Sequence, residues 1–469
     1  MPDGTPNLPL SYIEAHGDRP ALIDGELTIT HAELAKRARL AGGRLREQGV
    51  KTGEVVGVQL PNVWEYPALE LAIPLIGAIV MPLPLNLGRT EIEHALKATG
   101  ARRILRQPEA EALTAQGAPK PLPPPDPDPE RIVEVALTSG STGLPKLASL
   151  HAGLKQATFE RFTARLGVTV ADRVLVMSPL MQGIGGMCLF CLRAGAALVM
   201  LRRPRFDAAH TLRVASGTKA TLLVGVPTNL IRMLEAPEVA RPDLDLAAAR
   251  CTAVAGAPLP PEVARAWETR TGSRVVSFYG TMDAGQLAVG SPSDPVEKRW
   301  YTVGRPHDGV DCMITPEGEI CMRGPTVQKR FWGEAQGPFS ADGWAHLGDL
   351  GFIDEEGFLH VSGRLKDIII RGGTNINPHE VEDHLRTHPG VRDACVVGRP
   401  DHDLGERAVA FVVGSLSLPE LREHLEARGL ARYKWPESVE IIEELPLKGP
   451  GKVDRTRLKE LASAESPLR

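Results

Sequence analysis

The sequence predicts an α/β protein, with a large N-terminal domain of layered α/β sheets over residues 1–362 and a small α+β C-terminal domain over 368–469. Three observations predict it. At 469 residues the chain is too long for one hydrophobic core. Short apolar runs alternate with stretches of helical spacing to about Leu287, as strands and helices do in layers. Around Gly363 the texture changes: Gly363-Arg364-Leu365-Lys366-Asp367 is polar, and a shorter mixed pattern follows it to the end.

The elements follow in order. Residues 10–50 read as a helix, a hairpin-like turn and a second helix. Ala21 to Ile29 gives two short strands about Asp24-Gly25, and His31 to Leu45 has helical spacing. Glu54 to Leu60 alternates as a strand; a helix and the strand Ile79 to Leu83 come next. The apolar run Leu71 to Met81 is interrupted by Pro74 and falls short of the roughly 20 residues a membrane span needs, so it predicts a buried element. Pro119 to Pro129 is proline-rich and reads as an extended linker or surface loop. Beyond it come the strand Ile132 to Leu137 and a third strand–helix alternation from about Arg173 to Leu287.

Composition narrows the class. With 42% hydrophobic and 24% charged residues the chain reads as soluble and globular. A net charge of -4 supplies no basic excess to neutralise a phosphate backbone, which argues against nucleic acid as a partner. The start Met1-Pro2-Asp3-Gly4 lacks a basic and then apolar leader, and the six scattered cysteines suit reduced thiols, so a cytoplasmic protein without a membrane segment is expected. Cys188 and Cys191 form a CxxC, but within an apolar stretch and with no second pair, so they read as core packing rather than a zinc or redox site.

The sharpest motif is Thr138-Ser139-Gly140-Ser141-Thr142-Gly143-Leu144-Pro145-Lys146, directly after an apolar strand. Gly140 and Gly143 let the backbone approach a ligand closely, the hydroxyls of Thr138, Ser139, Ser141 and Thr142 add donors, and Lys146 adds positive charge. Such a loop can wrap the phosphates of ATP with backbone N–H groups. It is not a Walker A loop, because Lys146 follows Pro145 and precedes Leu147.

With this loop and five further motifs in order, the chain resembles the acyl-adenylate-forming (ANL) superfamily of acyl- and aryl-CoA synthetases, adenylation domains and luciferases. The resemblance runs from about residue 10 to 460. It implies a large N-terminal domain with a distorted barrel and a small, mobile C-terminal domain, joined by a hinge at 363–367 with Lys366 as pivot. It implies that Val254-Ala255-Gly256-Ala257-Pro258-Leu259 borders the adenine and the acyl pocket. In Ser277-Phe278-Tyr279-Gly280-Thr281-Met282-Asp283, Tyr279 would pack on adenine, Thr281 bond the α-phosphate and Asp283 hold Mg²⁺. Asp349, in Trp344-Ala345-His346-Leu347-Gly348-Asp349, would hold the ribose hydroxyls; Arg364 would reach the ribose or α-phosphate. Lys452, in Lys448-Gly449-Pro450-Gly451-Lys452-Val453-Asp454-Arg455, matches the catalytic lysine, with Lys448 a bystander.

The implied reaction is attack of an acid oxygen on the α-phosphorus of ATP, with pyrophosphate leaving. Lys452 would bridge the acid and α-phosphate; Mg²⁺ near Asp283, with Lys146, would neutralise the departing phosphates. The C-terminal domain would then swing and present a face including Arg371-Gly372-Gly373-Thr374-Asn375-Ile376-Asn377, past which the pantetheine arm of CoA or of a carrier protein acting in trans reaches the adenylate.

The chain also departs from its relatives. Gln182 stands where many have His, which removes any role for imidazolium, and Asp283 stands where most have Glu. Gly183 stands where amino-acid activators place an Asp, which argues against an α-amino acid substrate. By the resemblance Gln182, Gly183, Gly256 and Gly280 line the acid's pocket. Gly183, Gly185 and Gly186 have two readings, room for a flat or bulky acyl group or helix-packing glycines. Arg330 replaces a frequent Gly. The leading expectation is a ligase for an aromatic or medium-sized acid. Its rivals are adenylation of a non-standard acid such as nitrite for N–N bond formation with an amine, and a non-catalytic nucleotide-binding relative. The acid, the acceptor and the oligomeric state are open at this point.

Overall fold

In the computed structural model, which describes residues 9–119, 122, 126–138, 144–202, 205–282, 284–334, 340, 342–447 and 453–464, the turn at Asp24-Gly25 joins strands Pro20–Asp24 and Leu27–Thr30 as an antiparallel pair. Gly25 has φ +66°, a conformation in which a side chain is strained. Helix His31–Glu47 follows, and the Thr30 hydroxyl caps it by accepting from the Glu33 N–H at 3.1 Å. The apolar run Leu71 to Met81 divides between two elements. Its first part ends helix Glu65–Leu75 at Pro74, and its last part is strand Ile79–Pro82. Both elements are buried throughout, and among the described residues no helix is long and apolar enough to cross a membrane. The expected linker Pro119 to Pro129 lies partly outside the described residues; within it Leu122 packs against the main core.

The chain divides into two units. The larger comprises Met1–Cys312, Cys321–Leu347 and Gly357–Leu359; the smaller comprises Met313–Ile320, Gly348–Glu356 and His360–Arg469. The boundary falls inside strands Asp311–Ile314, Glu319–Arg323, Ala345–Ile353 and Leu359–Arg364, so the polar segment 363–367 lies wholly in the smaller unit. A polar segment stands out in a sequence, whereas a crossing made along extended backbone leaves no compositional mark.

Among the described residues the larger unit holds two sheets. One is five-stranded, in the order Ile104–Leu105, Val55–Val58, Ile79–Pro82, Ile132–Thr138, Lys146–His151. The other is nine-stranded, and its centre is parallel: Arg274–Thr281 beside Cys251–Val254, Leu222–Gly225, Arg173–Val176 and Ala197–Val199. These strands are apolar at consecutive positions because both faces are covered. Leu222 and Val224 enter one core and Leu223 the other; Val174 and Val176 divide from Leu175 in the same way. Trp267 is fully buried, and its indole N–H donates to the Thr252 hydroxyl at 2.9 Å.

Cys188 and Cys191 lie buried in helix Gly183–Arg193. Burial pushes the Cys188 thiol up to about 12 and the Cys191 thiol well above its ordinary value, so neither forms a thiolate at neutral pH.

The smaller unit is built on the antiparallel pair Val391–Asp401 and Gly405–Gly414, flanked by Ile369–Arg371 and Ser438–Ile442. Period-two alternation again fills two faces. Ala394, Val396, Ala408, Ala410 and Val412 pack with Val381 and Leu385 of helix Pro378–Arg386 and with Leu421 and Leu425 of helix Leu418–Ala427. Cys395, Val397, Val409, Phe411 and Val413 pack with Leu458 and Ala462 of helix Arg455–Ala464.

Candidate active site

The larger unit's candidate residues stand at the carboxyl ends of its strands. Thr138 ends Ile132–Thr138; Gln182 follows Arg173–Val176; Gly256, Ala257 and Pro258 follow Cys251–Val254; Tyr279, Gly280 and Thr281 end Arg274–Thr281. In α/β sheets ligands bind beyond this edge.

Ser139, Gly140, Ser141, Thr142 and Gly143 lie outside the described residues, but both ends of their loop are placed. Thr138 and Lys146 are partners in an antiparallel pair, so the loop closes a hairpin. The Thr138 hydroxyl is buried, with no hydrogen-bond partner among the described residues. The Lys146 ammonium sits 4.9 Å from the centre of the Phe331 ring, a cation–π contact that holds it near the loop. Phe331 bridges Ala148, and Val327 of the same segment bridges Gly285. One strip of chain therefore supports both the Lys146 strand and the turn after Thr281. The Arg330 carbonyl belongs to it and accepts from the Ser149 N–H at 3.2 Å, while the Arg330 side chain is exposed.

Three segments meet at the residues expected to border the acid. A Cβ on Gly256, whose φ is +86°, would come 2.8 Å from Ile184 Cδ1, and one on Gly183 would come 2.8 Å from Met282 Sδ. Helix Gly183–Arg193 thus begins against both the Gly256 turn and the end of strand Arg274–Thr281. Gln182 precedes it, and its amide donates to Asn86 Oδ1 at 3.4 Å. The glycines separate by role. Gly185 is a packing glycine, because its Cβ would lie 2.0 Å from the Pro179 carbonyl; beside Gly183 the neighbour is the end of a flexible thioether. Gly280 admits no side chain either, with Gly285 O at 2.4 Å from its Cβ position. Tyr279 is half-buried. The Thr281 hydroxyl accepts from the Ala284 N–H at 3.1 Å. Asp283 lies outside the described residues.

Sequence reasoning missed a charged cluster that includes a residue of strand Ile132–Thr138. Lys155, on helix Ala152–Leu166, donates to Glu70 Oε1 at 2.5 Å and to Glu134 on strand Ile132–Thr138. Glu70 is buried, and the Lys155 and Glu134 side chains are only 12% and 14% exposed. Burial alone would lower the Lys155 pKa, but Glu134 and Glu70 outweigh it and raise it, while burial raises Glu70. The signal was present: Glu134 interrupts an otherwise apolar strand, four residues before the loop begins.

In the smaller unit, Asp349 is buried on strand Ala345–Ile353, and Arg364, half-exposed at the end of Leu359–Arg364, approaches its Oδ1 at 3.2 Å. Lys366 lies in the single 3₁₀ turn Leu365–Asp367. Gly372 and Gly373, with φ +57° and +79°, form the tight turn between Ile369–Arg371 and Thr374–Ile376. Lys448 and Lys452 lie outside the described residues, but their loop is pinned at its base by a bridge between Leu447 and Val453.

Comparison with known proteins gives the family. The profile of the AMP-binding enzyme family matches residues 11–332, and that of the AMP-binding enzyme C-terminal domain matches 380–452. A feruloyl-CoA synthase from Amycolatopsis sp is 35% identical, with 92% of this chain and 94% of that protein covered. Among solved structures, ATP-bound MatB from Rhodopseudomonas palustris superposes with a TM-score of 0.88 at 26% identity, covering 97% of this chain and 99% of that one. The amide bond synthetase McbA from Marinactinospora thermotolerans gives 0.87 at 27%, covering 97% and 100%. The chain belongs to the AMP-binding enzymes of the acyl-adenylate-forming superfamily, with their large N-terminal and smaller C-terminal domains, and it is a ligase.

Proposed function

We propose that the protein activates an aromatic or medium-sized carboxylic acid as its AMP derivative, with release of pyrophosphate, and passes the acyl group to the thiol of CoA or of a carrier's phosphopantetheine. The observation that carries this reading is the alignment of Thr138, Gln182, Gly256 and Thr281 along one kind of edge, the carboxyl ends of the strands. The extent of likeness to a feruloyl-CoA synthase supports an aromatic acid.

In this reading the loop 139–143 and Lys146 cradle the β- and γ-phosphates, Tyr279 packs on adenine beside Gly256, Ala257 and Pro258, and Thr281 reaches the α-phosphate. Gln182, Gly183, Gly256 and Gly280 border the acid. Asp283 supplies the hard oxygen that Mg²⁺ prefers, and the bound ion screens the phosphate charge. Asp349 takes the ribose hydroxyls, and its pairing with Arg364 sets the carboxylate's orientation. Residues 363–367 serve as the hinge, with Lys366 as pivot, between the adenylating and thiol-transferring arrangements.

A second reading, transfer to an amine, is favoured by the likeness to an amide bond synthetase. It includes the activation of nitrite for N–N bond formation. Pyrophosphate release measured with a panel of acids, with CoA, with an amine or with neither, separates the two. Turnover of aryl acids that depends on CoA is the expected result. Turnover that needs an amine and ignores CoA supports the second reading, and no pyrophosphate from any acid overturns both.

Asp349→Ala is expected to raise the KM for ATP by about 10- to 100-fold, the worth of one or two hydrogen bonds to a charged group. The KM for the acid should stay within about twofold in the same assay, because uniform ATP binding is what is lost. An unchanged ATP affinity removes Asp349 from the ribose.

A further inference from the structure

Three residues beyond Lys452 the chain enters a buried charge cluster that the reaction scheme above does not use. Arg455 opens helix Arg455–Ala464 and is largely buried. Its guanidinium meets three other elements of the smaller unit. Nη2 donates to Glu382 Oε1 at 2.6 Å and lies 3.4 Å from His379 Nε2, both on helix Pro378–Arg386. Nη1 donates to the Val396 carbonyl at 2.7 Å, in the central strand Val391–Asp401. Nε stands 3.6 Å from Asp367 Oδ2, in the turn Leu365–Asp367.

Glu382 is the centre of this cluster. It is 1% exposed, accepts the Val396 N–H at 2.7 Å, and faces His379 Nδ1 at 3.1 Å and Arg386 at 3.7 Å. Burial alone would raise its pKa, but His379, Arg455 and Arg386 hold it down at about 2, so it stays a carboxylate across the working pH range. A charge buried this deeply fixes the position of the cation that pairs with it. A planar guanidinium that uses three nitrogens at once is fixed in orientation as well as position.

The stem of the Lys452 loop is short. Val453 pairs with Leu447, the Asp454 N–H donates to the Pro446 carbonyl at 2.7 Å, and Arg455 follows. The rigid point closest in sequence to Lys452 on this side is therefore a residue tied at the same time to the 365–367 turn.

We propose that Arg455 is a positioning residue for adenylation: clamped by Glu382, the Val396 carbonyl and Asp367, it holds the segment Val453–Arg455 from which Lys452 is tethered. The inference rests on the adenylating role of Lys452. Arg455 touches no substrate and acts through the lysine alone.

The test uses Arg455→Lys, which keeps the charge beside Glu382 but cannot span all three partners. Adenylation is read as pyrophosphate release and thiol transfer as thioester formation from supplied acyl-AMP, each alone and in a Lys452→Ala background. Arg455→Lys is expected to lower kcat for adenylation by about 10- to 100-fold, the effect of a catalytic group misplaced by about 1 Å. KM values for ATP and acid should stay within about twofold, thiol transfer should be unchanged, and no further loss should appear once Lys452 is absent. Full adenylation by Arg455→Lys, equal loss in both half-reactions, or losses that multiply with Lys452→Ala would each overturn the positioning role and leave the adenylation reading standing. Undiminished adenylation by Lys452→Ala alone would bring down both.

Discussion

Lys452→Ala is expected to lower adenylate formation by about 10²–10³-fold, the size of effect seen when one electrostatic donor to a transition state is removed. The acid arrives already ionised at neutral pH, so no base is needed to make the nucleophile. What the step requires is a positive charge between two anions, the carboxylate and the α-phosphate, at the moment they are forced together. An ammonium on a loop anchored by Leu447 and Val453 meets that need. Once the adenylate has formed and pyrophosphate has left, the thiol attacks a neutral carbonyl carbon and the same charge is dispensable. Thioester formation from supplied acyl-AMP should therefore stay within about threefold of the parent rate, well under 1 kcal/mol of activation free energy. Pyrophosphate release and single-turnover thiol transfer measure the two steps separately. Equal loss in both would remove Lys452 from the adenylating role.

Lys155→Met is expected to cost about 3–5 kcal/mol of stability in the larger unit, because it takes the bridging ammonium from the buried Glu70 and the largely buried Glu134. Thermal or urea unfolding should show it as a fall of several degrees in midpoint or a matching shift in urea. The loss should depend on pH. Glu70 already has a raised pKa, and without Lys155 it rises further beside Glu134. A carboxyl whose folded pKa exceeds its unfolded value binds more protons in the folded state, so the variant gains stability at low pH and loses it as pH rises through the folded value. The deficit should be smaller near pH 5 than near pH 8. Adding Glu70→Gln and Glu134→Gln to Lys155→Met should restore most of the stability at both pH values, since neutral amides remove the uncompensated charge. A deficit that does not change with pH would mean that Lys155 contributes packing and no charge balance. Glu134 also lies on the strand that ends at Thr138, where the loop proposed to cradle phosphates begins.

The outline of the site was legible because it rests on local chemistry. Glycines flanked by hydroxyls after an apolar strand can be read without knowing the fold, and so can the Asp24-Gly25 turn, which needs only a residue able to take φ +66°. The two readings of the glycines at 183, 185 and 186 could not be separated in that way. Whether a glycine leaves space or fills a gap depends on the atoms opposite. The Pro179 carbonyl closes Gly185, whereas the atom opposite Gly183 is the sulfur of Met282, 99 positions along the chain. Charged residues that drew no reading in the sequence are the other case. Only the fold shows the cation beside Glu134 and the carboxylate beside Arg455.

The sequence by itself determined the α/β class, the order of its elements and the set of motifs that mark an acid-activating ligase, because periodicity, turn chemistry and short motifs are properties of neighbours along the chain. The tertiary structure alone decided which strand ends stand together, where one unit passes into the next, and which buried charges are matched. Lys155 and Glu70 are 85 residues apart, and Arg455 and Glu382 are 73. Such pairs form only when packing brings their elements together, and their energy depends on the water that packing excludes.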